Sequence, residues 1–397
     1  MKKHYVTRNP SLKGFVSLDG RSSYGIEDWF EGDPTSRMEG VPTSVKANYD
    51  SLGLSLPDTV GPLQAYGKWL PYVRFPSLNE GGTPMVNAPA LAEHFELQSL
   101  AIKREAANPT GSHKDRMTPL ALARAMEVEA KGVVCASSGN AAISLAAYAA
   151  AVSMPCRIVI TRHISDAYRR LLTRMDAELI VCSSSLERWD VVRVLVQQGW
   201  YPITNYCIPA VGSNPYGVQG YKTIAYEIWQ QLGTVDAVIV PCARGDLIWG
   251  IGEGFREMKA VGIVAAIPTL HAAEPFPRIS KILQGEAKTT DHFPGETIQF
   301  SIAGDTVTDQ AVRAVRDSRG SAVAVSDSAA TGAQKIAACH GIDLEISSAC
   351  ALAAISILKS KGELTHTSKV VIIGTANSAR EPAPNLPPLA VSSFLSH

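Results

Sequence analysis

The chain has 397 residues, of which 46% are hydrophobic and 19% charged, a composition typical of a compact globular protein with more than one packed unit. Lysine plus arginine equals aspartate plus glutamate at 37 each, so no net charge favours nucleic acid or an anionic membrane surface as a partner. No run of about 18 apolar residues predicts a membrane span, and the basic start is not followed by the apolar stretch of a secretory signal. We therefore expect a soluble, cytoplasmic protein with a small-molecule ligand.

The first 79 residues are rich in proline and glycine, and we interpret them as an N-terminal extension on a larger body. From residue 99 onward, short runs rich in valine and isoleucine alternate with segments of helical length. The predicted strands lie in KGVVCAS, CRIVIT, AELIVCS, DAVIVPC, GIVAAIP and KVVIIGT. The predicted helices span about 114–131, 140–152, 165–175, 185–198, 218–232 and 247–261. This alternation predicts an α/β protein with parallel sheets covered by helices on both faces.

The seven cysteines lie far apart, without a CxxC pair and without histidines at zinc-ligand spacing. Several fall within apolar runs such as VVCAS. The pattern predicts reduced cysteines in the core, no metal site and a reducing compartment.

In a parallel-sheet protein, ligands bind where strand ends lead into helix N-termini, and four such loops have unusual compositions. The first is NPTGSHKDR, residues 108–116, in which a glycine turn places Lys114 at the start of a helix. The positive end of the helix dipole disfavours the ammonium form of a lysine there. Lys114 is therefore a candidate reactive amine, with a solvated surface lysine as the alternative.

The second loop lies in CASSGNAAISLAAYAA and joins a strand to an alanine-rich helix. Its four polar or small residues are Ser137, Ser138, Gly139 and Asn140. Successive backbone N–H groups and two hydroxyls at a helix N-terminus form an anion site that suits a carboxylate. The alternative is an ordinary serine N-cap.

The third loop lies in VIVPCARGDLIWGIGEGF and has the layout of a phosphate cradle before a helix. Its residues are Cys242, Ala243, Arg244, Gly245 and Asp246. The segment lacks the third glycine of the dinucleotide fingerprint and the GK[ST] of a P-loop, so it is neither of these nucleotide motifs. Arg244 either adds positive charge to the cradle or is a solvated loop residue.

The fourth loop lies in KVVIIGTANSARE and brings Thr375 to a strand end, as an active-site hydroxyl or as part of a polar surface loop. A further segment, CSSSLERWD, offers Ser183, Ser184 and Arg188. These side chains either bind an anionic leaving group or begin an exposed helix.

In their order along the chain, these loops resemble those of the tryptophan synthase beta-like, fold type II, pyridoxal-phosphate enzymes, and within them the threonine synthases. The segments that carry the resemblance are EGGTPMVNAPALAEHF, NPTGSHKDR, ASSGNAAISLAAYAA and VQGYKTIAYEIW, with weaker similarity in SVKANYDSLG and YGKWLPYV. The resemblance implies two parallel-sheet domains, pyridoxal 5'-phosphate as cofactor, an amino-acid substrate and a homodimer. The corresponding division is an extension of 1–79, a large cofactor domain of 80–131 and 205–397, and a small substrate-closing domain of 132–204.

The resemblance also implies a role for each loop. Lys114 would hold the cofactor as a Schiff base and act as general base and acid. Asn140 would contact the ring hydroxyl of the cofactor, and residues 137–139 would bind the substrate carboxylate. The loop 242–246 would hold the cofactor phosphate. Thr375 would face the pyridine nitrogen as a neutral hydroxyl, which leaves that nitrogen largely unprotonated.

Three positions depart from the usual threonine synthase pattern. Ala141 replaces a threonine and Gly217 replaces an arginine, both of which help to bind the substrate phosphate in the family. His113 replaces the phenylalanine that commonly precedes the reactive lysine, and is either a second acid or base or a ring packed behind the cofactor. These departures leave the reaction of this chain open.

We predict a lyase of the threonine synthase type, which eliminates or replaces a phosphate-like group at the β or γ carbon of an amino acid. Conversion of O-phosphohomoserine to threonine is the default reaction. One alternative is a dehydratase, an ammonia-lyase or a replacement enzyme that uses a nucleophile other than water in a specialised pathway. A second alternative is a non-catalytic relative that keeps the fold as a binding module.

Overall fold

Two sheets of parallel strands organise the chain. The structure is a computed structural model that describes residues 5–50, 55–162 and 164–381. The strands are β1 Thr7–Arg8, β2 Leu12–Ser17, β3 Ser23–Tyr24, β4 Val45–Tyr49, β5 Tyr72–Arg74, β6 Met85–Asn87, β7 Ser99–Arg104, β8 Gly132–Ala136, β9 Cys156–Thr161, β10 Glu178–Cys182, β11 Trp200–Pro202, β12 Ala237–Pro241, β13 Thr269–Glu274, β14 Ala322–Ala324 and β15 Lys369–Gly374. The α-helices are α1 Pro34–Met38, α2 Pro89–His94, α3 Thr118–Glu127, α4 Asn140–Ala151, α5 Asp166–Arg174, α6 Ser185–Gln197, α7 Pro215–Val218, α8 Lys222–Leu232, α9 Asp246–Ala260, α10 Ile279–Leu283, α11 Asp309–Asp317, α12 Asp327–Cys339 and α13 Ile346–Ser360.

The larger sheet has the strand order β14-β13-β12-β15-β7-β6, and only the edge strand β6 runs antiparallel to its neighbour. The smaller sheet has the order β10-β9-β8-β11 and is wholly parallel. Its strands come from the chain between residues 132 and 202, after β7 and before β12 of the larger sheet. These sheets confirm the predicted α/β class. Residues 1–4 and 51–54 of the predicted extension, and 382–397 of the predicted large domain, lie outside the described residues.

The burial of strand β12 explains why its sequence is continuously apolar. Val238 and Val240 belong to the apolar cluster that contains residues of α8 and α9. Ala237 and Ile239 face the opposite cluster, which contains residues of α12 and α13. Because successive side chains of a strand point to opposite faces, a sheet covered on both faces needs apolar residues at every position.

One predicted strand is wrong. The run GIVAAIP, residues 262–268, forms a turn and irregular structure, and the strand of this region is β13, which begins immediately afterwards. Gly262 has a φ of 78° and follows the C-cap of α9, a conformation that favours glycine. Pro268 cannot donate to a ladder, so the strand begins at the next residue.

Two predicted helices are shorter than expected. In place of a helix over 114–131, a 3-10 turn at His113–Arg116 precedes α3. The predicted helix 218–232 is divided by a 3-10 turn at Gln219–Tyr221. These two turns pack together so closely that a Cβ at Gly220 would overlap the carbonyl of Arg116.

The N-terminal residues form an antiparallel sheet of order β3-β2-β4 that packs on the main body. Phe15 is fully buried, and its ring lies edge-on to Tyr216 at 4.7 Å between centroids. The cysteines are free thiols, and all except Cys339 are buried, as the sequence predicts for reduced core residues. Within the described residues, no helix is both long and apolar enough to cross a membrane.

Candidate active site

The turn that carries Lys114 is attached to the end of β15. Ser112 forms an isolated bridge with Ala376, and the N–H of His113 donates to the Thr375 carbonyl at 3.0 Å. The Ser112 hydroxyl accepts from the N–H of Lys114 at 3.3 Å and so caps the 3-10 turn. The first and fourth candidate loops therefore lie side by side.

A buried network of two cations and two acids anchors the same turn. Arg116 contacts Glu105 at 2.7 Å and Glu227 at 2.5 Å, and all three side chains are fully buried. The ammonium of Lys103 lies 2.6 Å from the second oxygen of Glu227. We call Lys103, Glu105, Arg116 and Glu227 the Arg116 network. The network holds Arg116, two residues after Lys114, and so keeps the turn that carries Lys114 in place.

The Lys114 amine is half-buried and lies 3.3 Å from the hydroxyl of Tyr221. Burial lowers the pKa of this lysine to about 8, and the cation of Arg244 acts in the same direction. Asp246 and Glu345 partly oppose the shift. The sequence indicated a depressed pKa from the helix dipole, whereas burial is the largest cause in the structure.

Tyr221 and His113 form a pair of rings beside the lysine. Their centroids are 5.7 Å apart, and Nδ1 of His113 lies 3.4 Å from the Thr375 carbonyl. Burial holds the pKa of His113 well below its usual value, so the ring is neutral near pH 7. This arrangement favours a packing role for His113 over that of an acid.

The loop after β8 is open at the helix N-terminus. Gly139 is the N-cap of α4, and among the described residues no side chain caps this helix. The Ser137 hydroxyl accepts from the N–H of Gly139 at 3.2 Å, and the Ser138 hydroxyl accepts from the N–H of Thr161 at 3.2 Å. The alternative of an ordinary serine N-cap is therefore wrong for this helix. Residues 137–139 are half-buried.

A buried carboxyl group connects this loop with the end of β15. Glu345 accepts from the Thr375 hydroxyl at 3.0 Å and from the Ser301 hydroxyl at 3.1 Å. The amide nitrogen of Asn140 lies 3.5 Å from the Glu345 oxygen that accepts from Ser301, and burial raises the pKa of the Glu345 carboxyl. The Thr375 hydroxyl also lies 2.6 Å from that of Ser348, so it is part of a polar cluster.

The loop after β12, the predicted anion cradle, turns tightly into α9. Gly245 is the N-cap of α9 with a φ of 101°, and a Cβ at this position would overlap Ala311. Arg278 donates to the Cys242 carbonyl at 2.7 Å and so holds the loop from behind. Asp246 accepts from the Ser213 hydroxyl at 2.6 Å, which accounts for an acid beside a predicted anion site.

A cavity of about 590 Å³ adjoins both the cradle and the end of β8. Its lining includes Ala136, Arg188 and Arg244, together with residues from the segment 292–305. The Nε atoms of both arginines are buried and lack a hydrogen-bond partner among the described residues. Burial, reinforced by the neighbouring cation of Arg244, lowers the pKa of Arg188. Two guanidinium groups that line one cavity suit an anion there, and the acids Glu296 and Asp305 line the same cavity.

The two serines predicted beside Arg188 serve a different purpose. The Ser184 hydroxyl accepts from the N–H of Glu187 at 3.1 Å and caps α6. Ser183 donates its hydroxyl to the Glu187 carboxylate. Both serines are exposed and neither lines the cavity, so of the three predicted residues the structure brings only Arg188 to it, together with Ser185, Leu186 and Trp189 of the same segment.

Comparisons with known proteins agree with these features. The profile of the family described as "Pyridoxal-phosphate dependent enzyme" matches residues 76–376. A threonine synthase of Methanosarcina acetivorans is 30% identical over 351 residues, which cover 86% of this chain and 84% of that protein. A threonine synthase of Methanocaldococcus jannaschii is 33% identical over 317 residues, or 77% and 76% of the two chains.

The same fold occurs among solved structures. The structure of maize serine racemase matches with a TM-score of 0.64 and 24% identity, over 79% of this chain and 90% of that one. With the family profile and the sequence relatives, this likeness identifies the two-sheet architecture as the tryptophan synthase beta-like fold. The chain therefore belongs to the pyridoxal-phosphate-dependent enzymes, as a threonine synthase-like lyase whose cofactor is pyridoxal 5'-phosphate.

Proposed function

We propose that this enzyme releases a phosphate-like group from the β or γ carbon of an amino acid, with O-phosphohomoserine to threonine as the default reaction. The observation that carries the proposal is that Arg188 and Arg244 line one cavity and that, among the described residues, their Nε atoms have no hydrogen-bond partner. A leaving phosphate in the cavity would offset the repulsion between the two cations. The relatives named threonine synthase support the same substrate class.

The residues of the site fit the cofactor. We propose that Lys114 forms the covalent bond to its aldehyde, and that backbone N–H groups of loop 242–246 hold its phosphate at the N-terminus of α9. The positive φ of Gly245, where a side chain would overlap Ala311, is the conformation such a cradle requires. Asn140 and Thr375 would flank the ring. When bound, the cofactor supplies an electron sink that acidifies the α proton of the substrate.

The protein itself would transfer the proton, bind the substrate carboxylate and bind the leaving group. The Lys114 amine would remove the α proton and later return a proton, and the hydroxyl of Tyr221, 3.3 Å away, would orient that amine. Residues 137–139 would hold the substrate carboxylate through backbone N–H groups. Arg188 and Arg244 would bind the leaving anion, which lowers the free energy of the departing group.

We further propose that the chain segment 132–204 closes on the substrate as a small domain. The cavity has walls from both sheets, since Arg188 follows β10 of the smaller sheet and Arg244 follows β12 of the larger one. Closure would bring the two guanidinium groups together on the leaving anion and exclude water.

A second candidate is a dehydratase, an ammonia-lyase or a replacement with a nucleophile other than water. Gly217 favours it, because a Cβ there would lie 2.7 Å from Cγ of Met117 and 3.0 Å from its carbonyl oxygen. The arginine found at this position in threonine synthases has no room, and Ala141 lacks the threonine hydroxyl.

O-Phosphohomoserine and O-phosphoserine, assayed separately for phosphate, amino acid and oxoacid, distinguish the reactions. Phosphate with threonine supports the first candidate, and an oxoacid with ammonia supports the second.

Loss of either arginine is expected to weaken use of a phosphorylated substrate. For R188Q and R244Q we expect kcat/KM for phosphate release to fall by about 10- to 100-fold each, the usual worth of a hydrogen bond to a charged group. The matched control is R193Q, since Arg193 lies on the same helix as Arg188, pairs with Asp190 at 2.6 Å and does not line the cavity. Steady-state phosphate release checks the prediction. Unchanged kcat/KM in both variants would remove the cavity from the proposed reaction.

Attachment of the cofactor to the apoenzyme is expected to depend on pH through Lys114. Only the neutral amine attacks an aldehyde, and its fraction rises with pH until the pKa is passed. With a pKa of about 8, the attachment rate should rise about tenfold per pH unit and level off above that value. Stopped-flow absorbance after mixing apoenzyme with pyridoxal phosphate measures this rate. A rise that continues to about pH 10 would show an ordinary lysine instead.

We also propose a cytoplasmic homodimer. The buried free thiols agree with a reducing compartment, and the family resemblance implies two subunits. Light scattering after size-exclusion chromatography tests the second point, with a mass of twice 42.4 kDa as the expected result.

A further inference from the structure

The side-chain amide of Asn140 is held by two donors on its oxygen. The hydroxyl of Tyr168 and a terminal nitrogen of Arg380 each lie 3.0 Å from Oδ1. A guanidinium group only donates hydrogen bonds, so the amide atom that faces Arg380 must be the oxygen. The NH2 group therefore points the other way, towards Glu345 at 3.5 Å.

Arg380 is itself fixed between two candidate loops. Its second terminal nitrogen donates to the Thr110 carbonyl in the turn that precedes Lys114. Its guanidinium lies 5.7 Å from the centroid of the Tyr168 ring. A Cβ at Gly111 would come within 3.3 Å of this guanidinium, so the glycine leaves the space that Arg380 uses.

Arg380 makes no direct ion pair with the described residues, but its charge acts on the buried Asp115 carboxyl, where it opposes the rise in pKa that burial causes. The two oxygens that it contacts, on Thr110 and Asn140, are neutral. A hydrogen bond from a cation polarises an amide and makes its NH2 group a stronger donor. Arg380 therefore strengthens the hydrogen bond that the Asn140 NH2 group donates to its acceptor.

We infer that Arg380, together with Tyr168, is a positioning residue that makes Asn140 present its NH2 group to the ring oxygen of the cofactor. The inference rests on the proposed contact between Asn140 and the ring. Arg380 need not touch the cofactor or the substrate, because it acts through the amide. The resemblance assigned no role to this arginine or to Tyr168.

The test is the visible absorbance of the holoenzyme, titrated with pH in the absence of substrate, for wild type, R380Q, R380K, Y168F and N140A. We expect R380Q to move the midpoint of the absorbance change by about half a pH unit or more, because stabilisation of the ring oxygen is lost. R380K should restore part of the shift, and Y168F should give a smaller one. We also expect the dissociation constant of the cofactor to rise about tenfold in R380Q.

The coupling between positions 380 and 140 decides the inference. If Arg380 acts through Asn140, R380Q causes no further shift in the N140A background. R169Q, which removes an exposed arginine next to Tyr168, is the matched control and should match wild type. An unchanged spectrum in R380Q and Y168F, or an equal shift by R380Q with and without Asn140, overturns the inference alone. An unchanged spectrum in N140A overturns the assignment of Asn140 to the ring and the inference with it.

Discussion

Replacement of Lys114 by alanine is expected to abolish covalent attachment of the cofactor and to lower turnover by about 10³-fold or more, since one residue serves as anchor, base and acid. Borohydride reduction followed by peptide mapping should place the label on Lys114 in the wild type and nowhere in the variant. Two other buried lysines are already paired: Lys103 with Glu227 at 2.6 Å, and Lys222 with Glu257 at 2.8 Å.

The exposed residue Lys131 provides the control for the labelling experiment, and K131A should keep both label and turnover. A label on another lysine in the wild type would contradict the assignment of Lys114. Absence of any label in a folded wild-type protein would instead support a non-catalytic binding module. Circular dichroism of K114A shows whether loss of the label reflects chemistry or unfolding.

Replacement of Arg116 by methionine is expected to cost about 3–5 kcal/mol of unfolding free energy, because it leaves buried carboxylates without their principal cation. Lys103 would then be the one cation left in the network for both Glu105 and Glu227, and all of these side chains are fully buried. Water cannot compensate the uncovered charge without opening the turn that carries Lys114. Urea unfolding followed by tryptophan fluorescence measures the loss.

The control is R193M, which breaks an exposed ion pair between Arg193 and Asp190. It should cost less than about 1 kcal/mol. Equal stability of R116M and wild type would show that the carboxylates take up protons or rearrange at little cost. In that case the anchoring role of the network would be wrong, although the assignment of Lys114 would stand.

The sequence was sufficient for β8, β9, β12 and β15, because most of their residues are buried and apolar. It did not predict β6, β11 and β14, which have only three residues each. It misplaced β13, since GIVAAIP is as apolar as the strand itself and differs only in its flanking Gly262 and Pro268. Pairing partners were beyond reach, because β7 lies beside β15 at the far end of the chain. That proximity is a property of the fold and has no local signal.

The residues of the candidate site also fall into those that a local motif identifies and those that only the fold brings together. The motifs around Lys114 and Gly245 are local, and each can be identified from a few adjacent residues. Tyr221, Glu345 and Arg380 were missed, because each meets its partner from a distant element. Tyr221 is 107 positions from Lys114, and Glu345 is 205 positions from Asn140. An isolated tyrosine or acid at a helix start is usually structural, and only the assembled fold distinguishes these residues.

The Arg116 network has a consequence for how this enzyme could change during evolution or engineering. Its four charges balance one another, so an altered charge at one position requires a compensating change elsewhere in the network. Of the two positions at which the family resemblance implies a departure, Ala141 lies outside the network, whereas Gly217 packs against Met117, next to Arg116. A library restricted to the cavity wall and Ala141 would therefore leave the anchor intact, whereas any side chain at Gly217 would press on Met117, the C-cap of the turn that carries Lys114.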